Sequence, residues 1–312
     1  MSQGSKPRTQ FTGRLPAGLQ AVYQTSVRQV TAAPEPIGSF ESSFQFRLTQ
    51  TLLDSAQAHK SADDPAPKKA VQYEPHKKGR PATSPKKPQT NVPSIMGQPL
   101  RVTLDQVHVT LPKRFFVNGK LLAKQLEGVS YLASLLPDGS LSNLHVEGPL
   151  PKDLTASLER LGRSLNRLQP PIPRLALGKG AAWRVTSLFR VGGHLSLPHT
   201  DIQVTMITDY HLDAFEQTPY GRAGKISTTV SVQGKNKSTT VPISATGRGK
   251  GSILLLVSPS LVLSHSSQTT IESSVQGKKS SNSTFMKLTL QSLKQPKNKD
   301  VRAQTGKNGR HR

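Results

Sequence analysis

The chain of 312 residues has no cysteine, a single tryptophan, few acids, and no apolar run of membrane-spanning length. Each shortage excludes something. Without cysteine there is no disulfide framework, thiolate nucleophile, zinc finger or Fe–S cluster in this chain. Aromatic residues make up 5 %, so the stacking platforms on which oligonucleotide-binding domains lay bases are not expected. The most apolar stretch, Ile253-Leu254-Leu255-Leu256-Val257, resumes as Leu261-Val262-Leu263 after Ser258-Pro259-Ser260. It falls short of the roughly 20 apolar residues that a membrane helix needs. The start, Met1-Ser2-Gln3-Gly4-Ser5-Lys6-Pro7-Arg8, is basic and polar with no apolar run behind it, so no secretory signal is read there. The expectation is a soluble chain with no transmembrane segment.

The scarcity of acids, 18 against 42 lysines and arginines, leaves a formal charge of +24. That charge is unevenly spread. Residues 1–14 hold Lys6, Arg8 and Arg14 without an acid, and residues 60–90 hold eight bases against three acids. Residues 294–312 hold seven bases against Asp300. All three segments are rich in Pro, Ser, Gln and Asn, and such composition buries too little apolar surface to offset chain entropy. The expected organisation is a basic disordered tail over 1–16, one β-rich domain over 17–293 and a second basic tail over 294–312. A Lys/Pro-rich disordered insertion at about 55–97 interrupts that domain.

Between these segments apolar residues alternate. Phe44, Phe46 and Leu48 share one face, as do Leu100, Val102 and Leu104, the pattern of half-buried strands. Parity then flips to Val107, Val109 and Leu111, which predicts a β-bulge near Asp105-Gln106. Asn118-Gly119 reads as a turn. Pro137-Asp138-Gly139-Ser140, between Val129–Leu136 and Leu141–Val146, reads as a hairpin. Leu154, Leu158, Leu161, Leu165 and Leu168 recur at helical spacing between Pro151 and Pro170, predicting one amphipathic helix packed on a sheet. Strands are expected at 181–191, 201–212, 225–233, 238–246, 251–257, 260–275 and 284–293. Short turns at Gly192-Gly193, Gly224-Lys225, Gly234-Lys235-Asn236 and Gly277-Lys278 imply an antiparallel meander. The fold class is therefore mainly β: a curved antiparallel sheet or incomplete barrel, with one helix on it and disordered basic flanks.

Few residues nominate chemistry. Gly247-Arg248-Gly249-Lys250-Gly251 resembles a phosphate loop, but a strand and not a helix follows it, so no helix terminus is available for an anion. The glycines read instead as a bulge or a close backbone approach, with Arg248 and Lys250 in solvent. His194, His199, Asp201 and His211 lie close in sequence, but Pro198 and the odd spacing of the first two histidines leave no shared strand face. They read as polar loop residues, and no metal or cofactor is expected. Asp209 and Asp213 are a carboxylate pair with nothing further to mark them as catalytic.

Pro171-Ile172-Pro173 followed by Leu177-Gly178-Lys179-Gly180-Ala181-Ala182-Trp183-Arg184-Val185 resembles a family of bacterial cell-envelope proteins, periplasmic or lipoprotein-like, with a domain of unknown function. Its pattern is a proline-rich turn and Gly-x-Gly-Ala-x-Trp after a helix, then a meander and a late strand opened by Gly-x-Gly-x-Gly. Gly247, Gly249 and Gly251 match that last element, and Leu135–Leu141 matches the turn before the helix. The similarity covers about residues 40–54 and 97–293. It implies a periplasmic or outer-membrane-associated protein, although the export signal or lipid anchor usual in the family is not seen in this chain. It implies no active-site residue.

Together these readings point to a non-enzymatic binding or scaffold module of the envelope. Its expected partner is a lipidic ligand held between helix and sheet, or another envelope protein. Leu154, Leu158, Leu161, Leu165, Leu168 and Trp183 form the expected core contribution. The rival reading is non-specific binding of an anionic polymer, whether nucleic acid, anionic lipid or acidic glycan, through the basic arms. Its residues are Lys68, Lys69, Lys77, Lys78, Arg80, Lys86, Lys87, Lys294, Lys297, Lys299 and Arg302. A hydrolase with a dispersed site is the third reading.

Overall fold

The computed structural model describes residues 1–11, 15–34, 38–54, 97–113, 118–148, 170–191, 202–235, 243–275 and 277–295. The first five strands are β1 (Gln20–Ala32), β2 (Phe40–Leu52), β3 (Gln98–Thr110), β4 (Ser130–Leu135) and β5 (Leu141–Val146). They are followed by β6 (Ala182–Val191), β7 (Ile202–Thr218), β8 (Gly221–Lys235), β9 (Ile243–Leu256), β10 (Val262–Val275) and β11 (Lys278–Lys294). The helix α1 (Gly119–Leu126) lies between β3 and β4. All eleven strands form one sheet in the order β5-β4-β3-β2-β1-β11-β10-β9-β8-β7-β6. Every pairing is antiparallel. Neighbours in space are neighbours in sequence except at β1–β11, where the first strand pairs with the last. β5 and β6, consecutive in sequence, are the opposite edges.

The sheet bends strongly. Eleven strands laid flat span about 50 Å, yet residues 170–181 reach both edges at one end. There Ile172 N–H donates to the Asp138 carbonyl in the β4–β5 hairpin, and the Trp183 indole N–H on β6 donates 3.0 Å to the carbonyl of Pro171. The result is an open, barrel-like trough.

Alternation places one residue in two inside it. Leu212, Ile226, Ile253, His265, Leu288, Thr25 and Phe46 form one buried belt across seven strands. Beside the belt, one end of the trough is packed solid. Leu19, Tyr23, Leu48, Leu100, Leu104, Tyr131, Leu177 and Leu255 are each at most 1 % exposed there.

The expected bulge is present. Gln106 and Val107 together face Phe46, between the pairs Arg47–Asp105 and Gln45–His108, and Gln106 has φ 52°. The expected hairpin is also present, with Leu136 N–H donating to the Ser140 carbonyl. Asn118-Gly119, however, opens a helix and not a turn. The Asn118 carboxamide oxygen accepts from Lys120 N–H at 2.9 Å and Leu121 N–H at 3.4 Å, capping α1. A Cβ on Gly119 would stand 2.6 Å from the Val109 carbonyl oxygen, so glycine is what lets the helix begin against β3. Leu122, Ala123 and Leu126 then pack on the core.

Other boundaries also move. Residues 243–246 of the strand expected at 238–246 and 251–256 of the one expected at 251–257 are parts of one strand, β9, because Gly247, Gly249 and Gly251 sit within the ladder. Gly224-Lys225 is interior to β8, and the chain reverses at Pro219-Tyr220 instead. β1 escaped the reading because its inward residues include Ala21 and Thr25. Lys294, assigned to a loose tail, is the exposed last residue of β11 opposite Gln20. Residues 1–11, also expected to be loose, lie along 177–182, with Ser2 bridged to Ala182 and Thr9 to Leu177. Phe11 anchors this strap: 6 % exposed, it stacks 6.2 Å from Phe215. The leucine-striped segment 151–168, the insertion at 55–96 and the tail beyond residue 295 lie outside the described residues.

Candidate functional site on the concave face

Beyond the buried belt the interior of the trough changes character along its length. Next to the belt stand Tyr210, Thr228, Gly251, Ser267, Met286, Val27 and Phe44, and after them Thr208, Val230, Gly249, Thr269, Thr284, Gln29 and Ser42. Small and hydroxylated residues thus line the middle. The three glycines matter here. A Cβ on Gly249 would lie 2.5 Å from the Thr269 hydroxyl and 2.8 Å from the Gln268 carbonyl oxygen, and one on Gly247 2.7 Å from the Thr270 carbonyl oxygen. Their absent side chains let β9 and β10 close up on the concave side, while Arg248 and Lys250 point out from the convex face, exposed.

Past this middle zone the two sides of the trough differ. On β7 to β10, Val204, Val232 and Ala245 form an apolar cluster separate from the main core, with half-buried Met206, Val230, Ile243 and Ile271 packed against it. On β10, β11 and β1 the lining is polar and satisfied. Ser273 and Ser280 share a 2.7 Å hydrogen bond, and Asn282 donates to the Thr31 hydroxyl at 3.0 Å. Thr284 donates to the carboxamide oxygen of Asn282 at 3.2 Å. The site therefore offers an apolar patch bordered by a hydroxyl and carboxamide patch, with Ile271 paired to Asn282 and Ala245 to Ser273 at their seam.

Trp183 is 6 % exposed and lies parallel to Tyr210, with ring centres 5.2 Å apart. Burial pushes the Tyr210 phenol up to about 12, against the opposing pull of a hydrogen bond with Thr208. It stays protonated, a hydrogen-bonding group and not a base.

A second concavity, a groove of about 480 Å³, lies between α1 and the end of β3, with Val107, Val109 and Ala123 between Lys120, Lys124, His108 and Glu127. Glu127 is already engaged: its two carboxylate oxygens accept from Gln106 N–H and Val107 N–H, both at 2.8 Å.

The carboxylates singled out in the sequence do not converge on the trough. Asp209 is bound by Arg184 at 2.6 Å, which holds its carboxyl below the usual range. Asp213 accepts from the Ser227 hydroxyl and faces His211 Nδ1 at 2.7 Å. Both belong to the convex side of β7. His194, His199 and Asp201 lie outside the described residues, as do Lys68, Lys69, Lys77, Lys78, Arg80, Lys86, Lys87, Lys297, Lys299 and Arg302. Sequence reading missed the Val204–Val232–Ala245 cluster, whose signal was the shared parity of strands whose order it could not know.

No family model matches this sequence, and a search of curated proteins finds no match. Among solved structures the fold is similar to a chain titled "Lipid-protein interactions in lipovitellin", with a TM-score of 0.47 and 13 % identity. The match covers 90 % of this chain and 26 % of the other, so this protein spans about a quarter of that chain's length.

Proposed function

We propose that the protein is a non-enzymatic binding module that holds an apolar or amphiphilic ligand, of the lipid class, against the concave face of its sheet. The observation that carries this reading is the apolar cluster on β7 to β10, separate from the packed core, whose buried Val204, Val232 and Ala245 are edged by half-buried Met206, Val230, Ile243 and Ile271. A side chain such as Ile271 or Met206, facing inward without being sealed, is a surface for another apolar body. The adjoining patch of Ser273, Ser280, Asn282 and Thr31 suits a polar headgroup on the same molecule. Envelope membership, implied by the family resemblance, belongs to the same proposal.

The test uses the full chain. Purified protein is extracted with organic solvent and the extract examined by mass spectrometry. A fluorescent fatty acid is then titrated into the stripped protein. Met206→Lys and Ile271→Lys are expected to weaken binding about tenfold or more, since each sets a charge in an apolar wall. Gln233→Ala, on the convex face, is expected to leave it unchanged. Protein free of lipid that also ignores the probe would overturn the proposal, and so would wild-type affinity in both lysine variants.

A further inference from the structure

The convex face of β8 to β11 carries what the concave face lacks. Reading outward-pointing residues only, β8 presents Lys225, Ser227, Thr229 and Ser231, and β9 presents Arg248, Lys250 and Ser252. β10 presents Ser266, Gln268 and Thr270, and β11 presents Ser283, Phe285 and Lys287. The register orders the cations. Arg248 faces Ser231 and Thr270, Lys250 faces Thr229 and Gln268, Lys287 stands in the row of Ser266 and Ser252, and Lys225 in the row of Leu254. Successive cations therefore climb two residues at a time, and the four cover about 20 Å along the strands.

All four are exposed, and none makes an ion pair among the described residues. Three acids border the track, of which Asp209, opposite Thr229 in the row of Lys250, is bound by Arg184 at 2.6 Å. Glu272 is beyond its Arg248 end, and Asp213 beside Ser227 is engaged by His211 and that serine. Between the cations the surface is almost entirely hydroxyl and carboxamide.

We infer that this convex face is a docking surface for a linear acidic polysaccharide, whose carboxylate or sulfate groups meet the four cations and whose hydroxyls meet the Ser, Thr and Gln side chains between them. Charge complementarity calls for a polyanion, and the rest of the face selects the kind. A single-stranded nucleic acid is held by aromatic stacking, and the one aromatic here, Phe285, is half-buried with the Arg28 guanidinium 5.6 Å from its ring centre. A bilayer is held by inserted apolar side chains as well as charge, and the track has none that is fully exposed. A bilayer is also flat where this face is convex, whereas a flexible glycan follows the curve. The inference does not depend on what the concave face holds.

Calorimetry on the full chain at low salt decides it, with sulfated heparin oligosaccharide and carboxylated alginate oligomer as probes. Neutral dextran, a thymidine oligonucleotide and phosphatidylglycerol vesicles serve as comparisons. A variant carrying Lys225→Gln, Arg248→Gln, Lys250→Gln and Lys287→Gln is expected to bind at least one acidic glycan about tenfold or more weakly. Lys68→Gln, Lys69→Gln, Lys77→Gln and Lys78→Gln together, the same change in charge, are expected to leave most of the affinity. Acetylation footprinting of wild-type protein needs no variant: bound glycan is expected to protect Lys225, Lys250 and Lys287. Unchanged glycan binding in the first variant, or no protection of those lysines, overturns the inference. Tighter binding of oligonucleotide or vesicles than of either glycan overturns it too, and assigns the face to that partner.

Discussion

Tyr23 hides a hydroxyl that has no hydrogen-bond partner among the described residues. The side chain is 0 % exposed between Leu48 and Leu290, and burial drives its phenol far above the ordinary range, so it carries no charge at any working pH. An unmet buried hydroxyl costs about 1–3 kcal/mol. Tyr23→Phe keeps the ring and removes the cost, so stability is expected to stay level or rise by about 1 kcal/mol. The measurement is the urea midpoint at constant slope, and a marked fall would show that the hydroxyl is in use. At the same scale, Gly247, Gly249 and Gly251 illustrate what residue type alone conveys. Spacing and the absence of a following helix argued for close backbone approach, and that is what stands between β9 and β10. Which face they occupy depended on register.

Among elements, the junction of β3 and α1 shows where a local pattern is enough and where it is not. The flip of parity after Leu104 was sufficient to place the bulge. Asn118-Gly119 was not, because the same pair serves as a turn and as a capped helix start. An isolated helix of eight residues is unstable in water, so α1 depends on packing Leu122, Ala123 and Leu126 against the core. Glu127, just past its end, ties the helix to the bulge. Hydrogen bonds from Val107 N–H and then Gln106 N–H hold its carboxyl below the ordinary value. A depressed folded-state value means that this contribution is complete above the unfolded-state carboxylate range and is lost as pH falls through the folded value. Glu127→Ala is therefore expected to lower Tm by about 2–4 °C at neutral pH. The gap should narrow in acid as the wild type protonates. A gap independent of pH would mean that the carboxylate is not the tie.

On the scale of the whole molecule, two meanders, β1 to β5 and β6 to β11, are joined by one ladder. Thr25 pairs with Leu288 and Val27 with Met286, contacts more than 250 residues apart in the chain. The bridge of residues 170–181 across the sheet edges is the second link. Leu288 is 2 % exposed in the belt between His265 and Thr25. Leu288→Pro removes a donor from a central strand together with a buried side chain, and is expected to cost about 4 kcal/mol or more. Hydrogen exchange should report lost protection in β1 and β10, with calorimetry showing a broadened or divided transition. A single sharp transition near the parent Tm would contradict the reading of β1–β11 as the joint.

Composition and parity determined by themselves that this chain builds antiparallel strands, where a bulge and a hairpin fall, and that Arg248 and Lys250 face solvent, because each depends on a few neighbouring residues. Only the tertiary structure decided which strands are neighbours. The pairing of β1 with β11, the burial of Phe11 and the gathering of Val204, Val232 and Ala245 into one wall arise from residues distant in sequence meeting on one curved surface. The same holds for the ordering of Arg248, Lys250, Lys287 and Lys225 into a track. Such meetings leave no periodic trace in any single segment, because they depend on the order of strands in space and not on their order along the chain.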